Sequence, residues 1–114
     1  MPPSVPRLHL FTQATLAAHI LESLKPALRA LVADSVSRIP DYTPVDEARV
    51  QVLGALTHSV EHAVTHVPGL HLTRGLLIVA ARQIVDRADA NTSVAALKSY
   101  AIDQMTIRVN SARV

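Results

Sequence analysis

The chain has 114 residues, of which 49 % are hydrophobic and 18 % charged, and its formal net charge is +2. This length corresponds to one domain, and the apolar content excludes an intrinsically disordered chain. Cysteine is absent, which excludes a disulfide framework, a thiolate zinc site and an iron–sulfur cluster. The longest apolar run, from Leu76 to Ala81, is far shorter than the ~20 residues that a membrane-spanning helix needs. We therefore expect a cytoplasmic protein without a membrane segment.

The N-terminal segment is rich in proline, with Pro2, Pro3 and Pro6 in the first eleven residues. Proline fixes the backbone dihedral φ and lacks an amide donor, so residues 1–11 are predicted to form an extended arm. The remaining residues, 12–114, are predicted to form a single helical domain.

A first helix is predicted to begin after Thr12 and to end at Ile39-Pro40. Its apolar residues recur every three or four positions, which is the spacing of one helix face: Leu16, Ile20, Leu24, Leu28 and Leu31. Pro26 lies within this pattern, where it either kinks one helix or separates two short ones. The apolar residues keep the same helical spacing before and after Pro26, which favours one kinked helix.

The second helix has the clearest start signal in the chain. Thr43 is a good N-cap residue, and Pro44 suits the first helical position. The pattern predicts a helix to about Val67, where Pro68 and Gly69 end it. One face is apolar and the opposite face is polar, and the polar face contains Glu47, Gln51, His58, Glu61, His62 and Thr65.

The third helix is predicted to run from a cap at Thr73 to about Ala88. Its core residues are expected to be Leu77, Ile78, Ala81, Ile84, Val85 and Ala88. A second apolar side is formed by Leu76, Val79 and Ala80. One apolar stripe is enough to bury a helix in a bundle of this size, so the second apolar side exceeds what the core needs. We call this excess the apolar surplus.

A fourth helix is predicted to follow a cap at Thr92 or Ser93, and it too has two apolar sides. One side contains Ala95, Ile102, Met105 and Val109, and the other contains Ala96, Leu97, Tyr100 and Ile107. Residues 105–114 are ambiguous, because Met105, Ile107 and Val109 also alternate as in a strand. The predicted fold is all-α: a small bundle of about four helices, up-down or orthogonal, with the N-terminal arm.

One segment matches a catalytic motif. His58 to His62 reads H-x-x-E-H, the zinc-binding pattern of the inverzincin metalloproteases, in which Glu61 would be the general base. Those enzymes take a third metal ligand from well downstream, whereas no Glu follows His62 in this chain. Glycine-rich phosphate loops and nucleophile elbows are also missing. We therefore predict that the protein is not an enzyme and needs no cofactor.

A simpler histidine site is an alternative. His58, His62 and His66 form a row along one helix, but the outer two would stand ~12 Å apart along its axis, too far to share one ion. The candidate metal ligands are therefore His62, His66 and His71, with His71 returning over the turn. The row lies on the predicted polar face, which favours solvated histidines instead.

The apolar surplus of the third and fourth helices decides the functional prediction. Exposed apolar patches mark interaction surfaces, and the candidate interaction residues are Leu76, Val79, Ala80, Leu97, Tyr100 and Ile107. We predict a small helical adaptor or structural subunit that associates with itself or with another protein. The alternatives are a nucleic-acid-binding regulator that uses scattered arginines, and a histidine-based metal-binding protein. The arginines form no cluster, which speaks against nucleic-acid binding.

Overall fold

The structure is a computed structural model that describes the backbone of residues 5–114 and the side chains from residue 15 onwards. The described residues form four helices, α1 (Val5–Ser37), α2 (Val45–Val64), α3 (His71–Arg87) and α4 (Val94–Ser111). The predicted all-α bundle is therefore confirmed. Helix α1 begins earlier than the predicted cap at Thr12. Residues 1–4 of the predicted arm lie outside the described residues, so the arm stays a prediction there.

The helices pack in an up-down arrangement, each antiparallel to the next. Ser35 of α1 lies beside Ser59 of α2, while Ala17 near the other end lies beside Gly69 in the α2–α3 turn. In the same way, Thr73 at the start of α3 reaches Arg113 just after α4. Helix α1 packs on α2 and α4, α3 packs on the same two helices, and α2 touches α4 across the centre.

Helix α1 is one continuous helix with Pro26 inside it, so the alternative of two short helices is wrong. Its buried apolar side chains are Ala17, Leu21, Leu28, Val32 and Val36. Leu16, which was predicted to be in the core, is exposed. Ile20 and Leu24 are partly buried, because α1 contacts two neighbouring helices and therefore covers a broader face than one stripe.

The starts of α2 and α3 differ from the sequence prediction. Thr43 does not cap α2; its hydroxyl donates to the Pro40 carbonyl at 2.7 Å, and Pro44 occupies the N-cap position without a side-chain cap. Thr73 lies inside the first turn of α3, where it is buried and donates to the Arg113 carbonyl at 2.9 Å. Both threonines therefore fix loop and chain-end geometry rather than capping a helix.

Helix α4 begins as predicted and removes the ambiguity of the C-terminal segment. The Ser93 hydroxyl oxygen accepts from the Ala96 amide at 3.1 Å, which identifies Ser93 rather than Thr92 as the N-cap. The helix continues through Ser111, so residues 105–111 are helical. Met105 and Val109 are fully buried on it.

Cationic side chains from a neighbouring helix bind the C-terminal carbonyls of three helices. Lys98 donates to the carbonyls of Ser37 and Ile39 at the end of α1, and Arg49 donates to those of Val85 and Ala88 at the end of α3. Lys25 donates to the Asn110 carbonyl near the end of α4. A cation is favourable at a helix C-terminus because the helix dipole is negative there. These contacts fix the ends of the helices relative to one another.

Candidate functional site: the outer face of α3 and α4

The outward surface of α3 is apolar over the first half of the helix. Leu72, Leu76 and Val79 are half to two-thirds exposed, and Gln83 continues the same line toward the end of the helix. These positions are spaced alternately by four and three residues, which places them in one stripe along the helix. The prediction that Leu76 and Val79 face outward is confirmed. Leu72 was missed, although it lies one helical turn before Leu76.

Helix α4 contributes a second, parallel stripe. Ile107 is more than half exposed and Tyr100 about one-third exposed, and both were predicted to face outward. Their spacing of seven residues puts them on one side of the helix. We call the surface formed by the two stripes the outer α3–α4 face; its residues are Leu72, Leu76, Val79, Gln83, Tyr100 and Ile107.

A groove separates the two helices within this face. It has a volume of about 460 Å³, and Leu76 and Val79 line it from α3. Arg108 and Ser111 line it from α4, together with Ala112 and Arg113 beyond the helix end. The groove is shallow and open, with apolar side chains on one wall and two arginines on the other. This shape suits a protruding side chain of another protein better than an enclosed small molecule.

Two of the six predicted interaction residues belong to the core instead. Ala80 is buried at 4 % exposure, and Leu97 has no exposed surface at all. Leu97 packs in the same buried row of α4 as Ala101, Met105 and Val109. Helix α4 thus buries a stripe that lies between the two sides predicted from its sequence. Leu97 is therefore not available for a partner, whereas Ala80, although nearly covered, lines the groove between α3 and α4.

Charged residues of both signs lie along the outer α3–α4 face. The contact between Thr73 and the Arg113 carbonyl places the start of α3 beside the end of α4. Arg113 is therefore near the Leu72 end of the face, whereas Arg108 directly follows Ile107 and lines the groove. Asp103 lies between Tyr100 and Ile107 along α4, and Asp86 has Arg82 and Arg87 beside it on α3. No ion pair in the described part of the chain involves any of these six side chains.

The histidines do not assemble into a site. His58, His62, His66 and His71 are all exposed. The rings of His58 and His62 are 6.2 Å apart between centroids and tilted by 30°. Within the described residues, no group of three or more histidine or carboxylate side chains is arranged to hold a metal ion. The structure therefore does not bring His62, His66 and His71 together.

Some arginines and lysines are committed to internal contacts. Arg49 binds the α3 carbonyls, and Arg29 donates to the Asn110 side chain at 2.7 Å. Lys25 is buried between Glu22 and the end of α4. These cations hold helices together, so they are not available to form a basic surface for nucleic acid.

Comparisons with known proteins give no relative: no family model, no curated protein and no solved structure matches this chain. Among the described residues, no helix is long and apolar enough to cross a membrane.

Proposed function

We propose that the protein is a non-catalytic assembly subunit that binds another protein chain, either a copy of itself or a different subunit, through the outer α3–α4 face. One observation carries the proposal. Nine large apolar side chains are exposed among the described residues, and five of them lie on this face: Leu72, Leu76, Val79, Tyr100 and Ile107. Scattered exposed apolar residues are ordinary on a monomer, whereas a contiguous patch marks an interaction surface.

The composition of the face supports the same proposal. Interface centres are depleted of charge and contain aromatic and aliphatic anchors, while charged residues surround them. Charged residues of both signs border the apolar residues of this face, with Arg108 beside Ile107 on α4 and Asp86 and Arg87 at the end of α3. We propose that this assembly acts in the cytoplasm, a compartment in which proteins rarely carry disulfides, because the chain contains no cysteine.

The proposal is tested by replacing residues that contribute to the face but not to the core. Leu76→Asp combined with Val79→Asp places two charges on the apolar stripe, and both positions are more than half exposed, so the helix is expected to form normally. Val50→Asp is a matched control, because Val50 is an exposed valine on α2, outside this face. Circular dichroism verifies that each variant stays helical.

The measurement is the native mass of the tagged chain purified from cells that produce it naturally, with any co-purifying protein identified and quantified. We expect the unmodified chain and Val50→Asp to give the same complex, and the Leu76→Asp, Val79→Asp variant to lose it. If all three give the same mass and the same co-purifying proteins, the outer α3–α4 face is not the binding surface and the proposal is wrong.

A further inference from the structure

We propose that His58 and His62 chelate one divalent transition-metal ion, such as Zn²⁺ or Cu²⁺, on the exposed surface of α2. The four exposed histidines of this region do not form one common site, but two ligands are enough for a chelate. The pair lies on α2, outside the outer α3–α4 face, so this inference is independent of the proposed function. It rests on the geometry of the two rings, on their availability and on the charge around them.

The helix places the two imidazoles on one side of α2. His58 and His62 are four residues apart within the continuous helix Val45–Val64, and residues at this spacing lie on the same face, one turn apart. Their ring centroids are 6.2 Å apart, and the ring planes are tilted by 30°. Two imidazoles that bind one ion at ~2.0–2.1 Å have their centroids about 5 Å apart. Rotation about the side-chain torsions of two exposed residues closes the remaining ~1 Å without any movement of the helix.

Both rings are available to a metal ion. Each side chain is exposed, and neither forms a hydrogen bond or an ion pair in the part of the chain that the structure describes. A metal ion therefore displaces only water from the imidazole nitrogens. Imidazole is a suitable ligand for zinc and copper, and water occupies the coordination positions that the protein leaves open.

The local charge favours a cation. Glu61 follows His58 by three residues, which places it on the same side of the helix, beside the pair. It is the only Asp, Glu, Lys or Arg between Arg49 and Arg74 in the sequence. A carboxylate close to the site attracts a cation, and no basic residue of this segment opposes it. The pattern H-x-x-E-H thus supplies two ligands and a favourable charge, without the third protein ligand of a metalloprotease.

His66 supplies a matched control. It follows His62 by four residues, but α2 ends at Val64, so His66 lies in the turn after the helix. It is exposed, as the other two histidines are. His66→Gln therefore removes an exposed histidine from the same segment and leaves the proposed chelate intact. His58→Gln and His62→Gln each remove one of its two ligands.

The test is a titration of Zn²⁺ into the full chain, purified without a histidine tag and followed by isothermal titration calorimetry. We expect the unmodified chain and His66→Gln to bind one ion with the same affinity. His58→Gln and His62→Gln are each expected to bind at least about tenfold more weakly, because the second ligand on the same helix acts at a high effective concentration. Circular dichroism verifies that each variant stays helical.

Two further measurements identify the ligands. Electron paramagnetic resonance of the chain with one equivalent of Cu²⁺ is expected to show two coordinating imidazole nitrogens in the unmodified chain and in His66→Gln. It is expected to show one in His58→Gln and in His62→Gln. Zn²⁺ should also raise the urea midpoint of the unmodified chain, because the two rings are held one turn apart only while α2 is folded.

Three results would overturn the proposal. One is a His58→Gln or His62→Gln variant that binds Zn²⁺ as tightly as the unmodified chain, because that ligand would then not be used. Another is a His66→Gln variant that loses as much affinity as these two, because the site would then not be the pair on α2. The third is an unmodified chain that binds no Zn²⁺ up to about 1 mM.

Discussion

Lys98 is the most informative single position for the stability of the bundle. It lies in the first turns of α4, and its ammonium group donates to the Ile39 carbonyl at 2.6 Å, to the Ser37 carbonyl at 3.2 Å and to the Asp41 carboxylate at 2.9 Å. The side chain is only 14 % exposed. It therefore connects the end of α1 and the start of the α1–α2 loop to α4.

Lys98→Met keeps the aliphatic stem and removes the charge and the donors. A hydrogen bond from a charged group contributes about 1.5–3 kcal/mol, and the interaction of a cation with a helix C-terminus adds ~0.3–1 kcal/mol. Because these contributions belong to one ammonium group and overlap, we expect the free energy of unfolding to fall by about 2–3 kcal/mol. Urea denaturation followed by circular dichroism measures this change.

The variant Asp41→Asn removes the ion pair of Lys98 but leaves its contacts with the two carbonyls, so the two contributions can be compared. Asp41 is 65 % exposed, and exposed ion pairs contribute about 0.2–1 kcal/mol. We therefore expect Asp41→Asn to cost less than ~1 kcal/mol. If it costs as much as Lys98→Met, the ion pair and not the helix end is what Lys98 stabilises. If Lys98→Met itself costs less than ~0.5 kcal/mol, a typical surface change, the reasoning about this helix end is refuted.

Four further predictions concern stability and are measured by the same denaturation experiments. Gly54→Ala is expected to raise the free energy of unfolding by about 0.5–1 kcal/mol, since an added Cβ meets no heavy atom within 4 Å. Gly69→Ala is expected to lower the free energy of unfolding, since the φ of Gly69 is +85° and an added Cβ would be 3.1 Å from the Cβ of Ala17. Leu97→Ala is expected to cost about 2–5 kcal/mol because the side chain is fully buried, and a cost below ~1 kcal/mol would contradict its place in the core. Replacing the exposed residues His58, His62 and His66 together with glutamine should change the free energy of unfolding by less than about 0.5 kcal/mol. A larger loss of stability, or the loss of a bound metal, would show that these histidines have a role.

The sequence alone was sufficient to predict the number of helices and the faces of α2. Gly and Pro separate the helices, and the apolar spacing within each is regular. Only one face of α2 is apolar, so this face can be predicted to be buried without knowing which helices pack against it. Val52, Leu56, Val60 and Val64 on this face are buried. The polar face opposite them is exposed, which also placed the histidine row correctly on the surface.

The helix starts were harder to predict because threonine has several uses. The pattern of Thr43 before Pro44 is typical of a capped helix start, yet the Thr43 hydroxyl binds the Pro40 carbonyl in the loop. The Thr73 hydroxyl binds a carbonyl forty residues away. A hydroxyl bonds to whichever acceptor the fold places nearest, and for Thr73 that acceptor is known only from the tertiary structure.

The candidate site was predicted only in part, again because the sequence does not show the tertiary contacts. A helix with apolar residues on two sides does not reveal which side its neighbours cover. Helix α4 contacts α1, α2 and α3, so it buries a row that crosses from Val94 and Leu97 to Met105 and Val109. Ala80 is buried beside this row because a small side chain permits close approach of α3. Leu76, Val79, Tyr100 and Ile107 stay outside because no further helix of the bundle covers them.

The remaining apolar surface is not explained by the stability of the single chain. Each helix already contributes a continuous buried row to one core, and α3 buries Thr73, Leu77, Ala81 and Ile84 on its inner side. Polar residues at Leu72, Leu76 and Val79 would preserve that inner row and would favour the solubility of a monomer. An exposed Leu or Val gains little in the folded monomer, because burial is what makes an apolar side chain stabilising. Leucine and valine at these positions would become stabilising if another surface covered them, which is the reason why we propose the outer α3–α4 face as an interface.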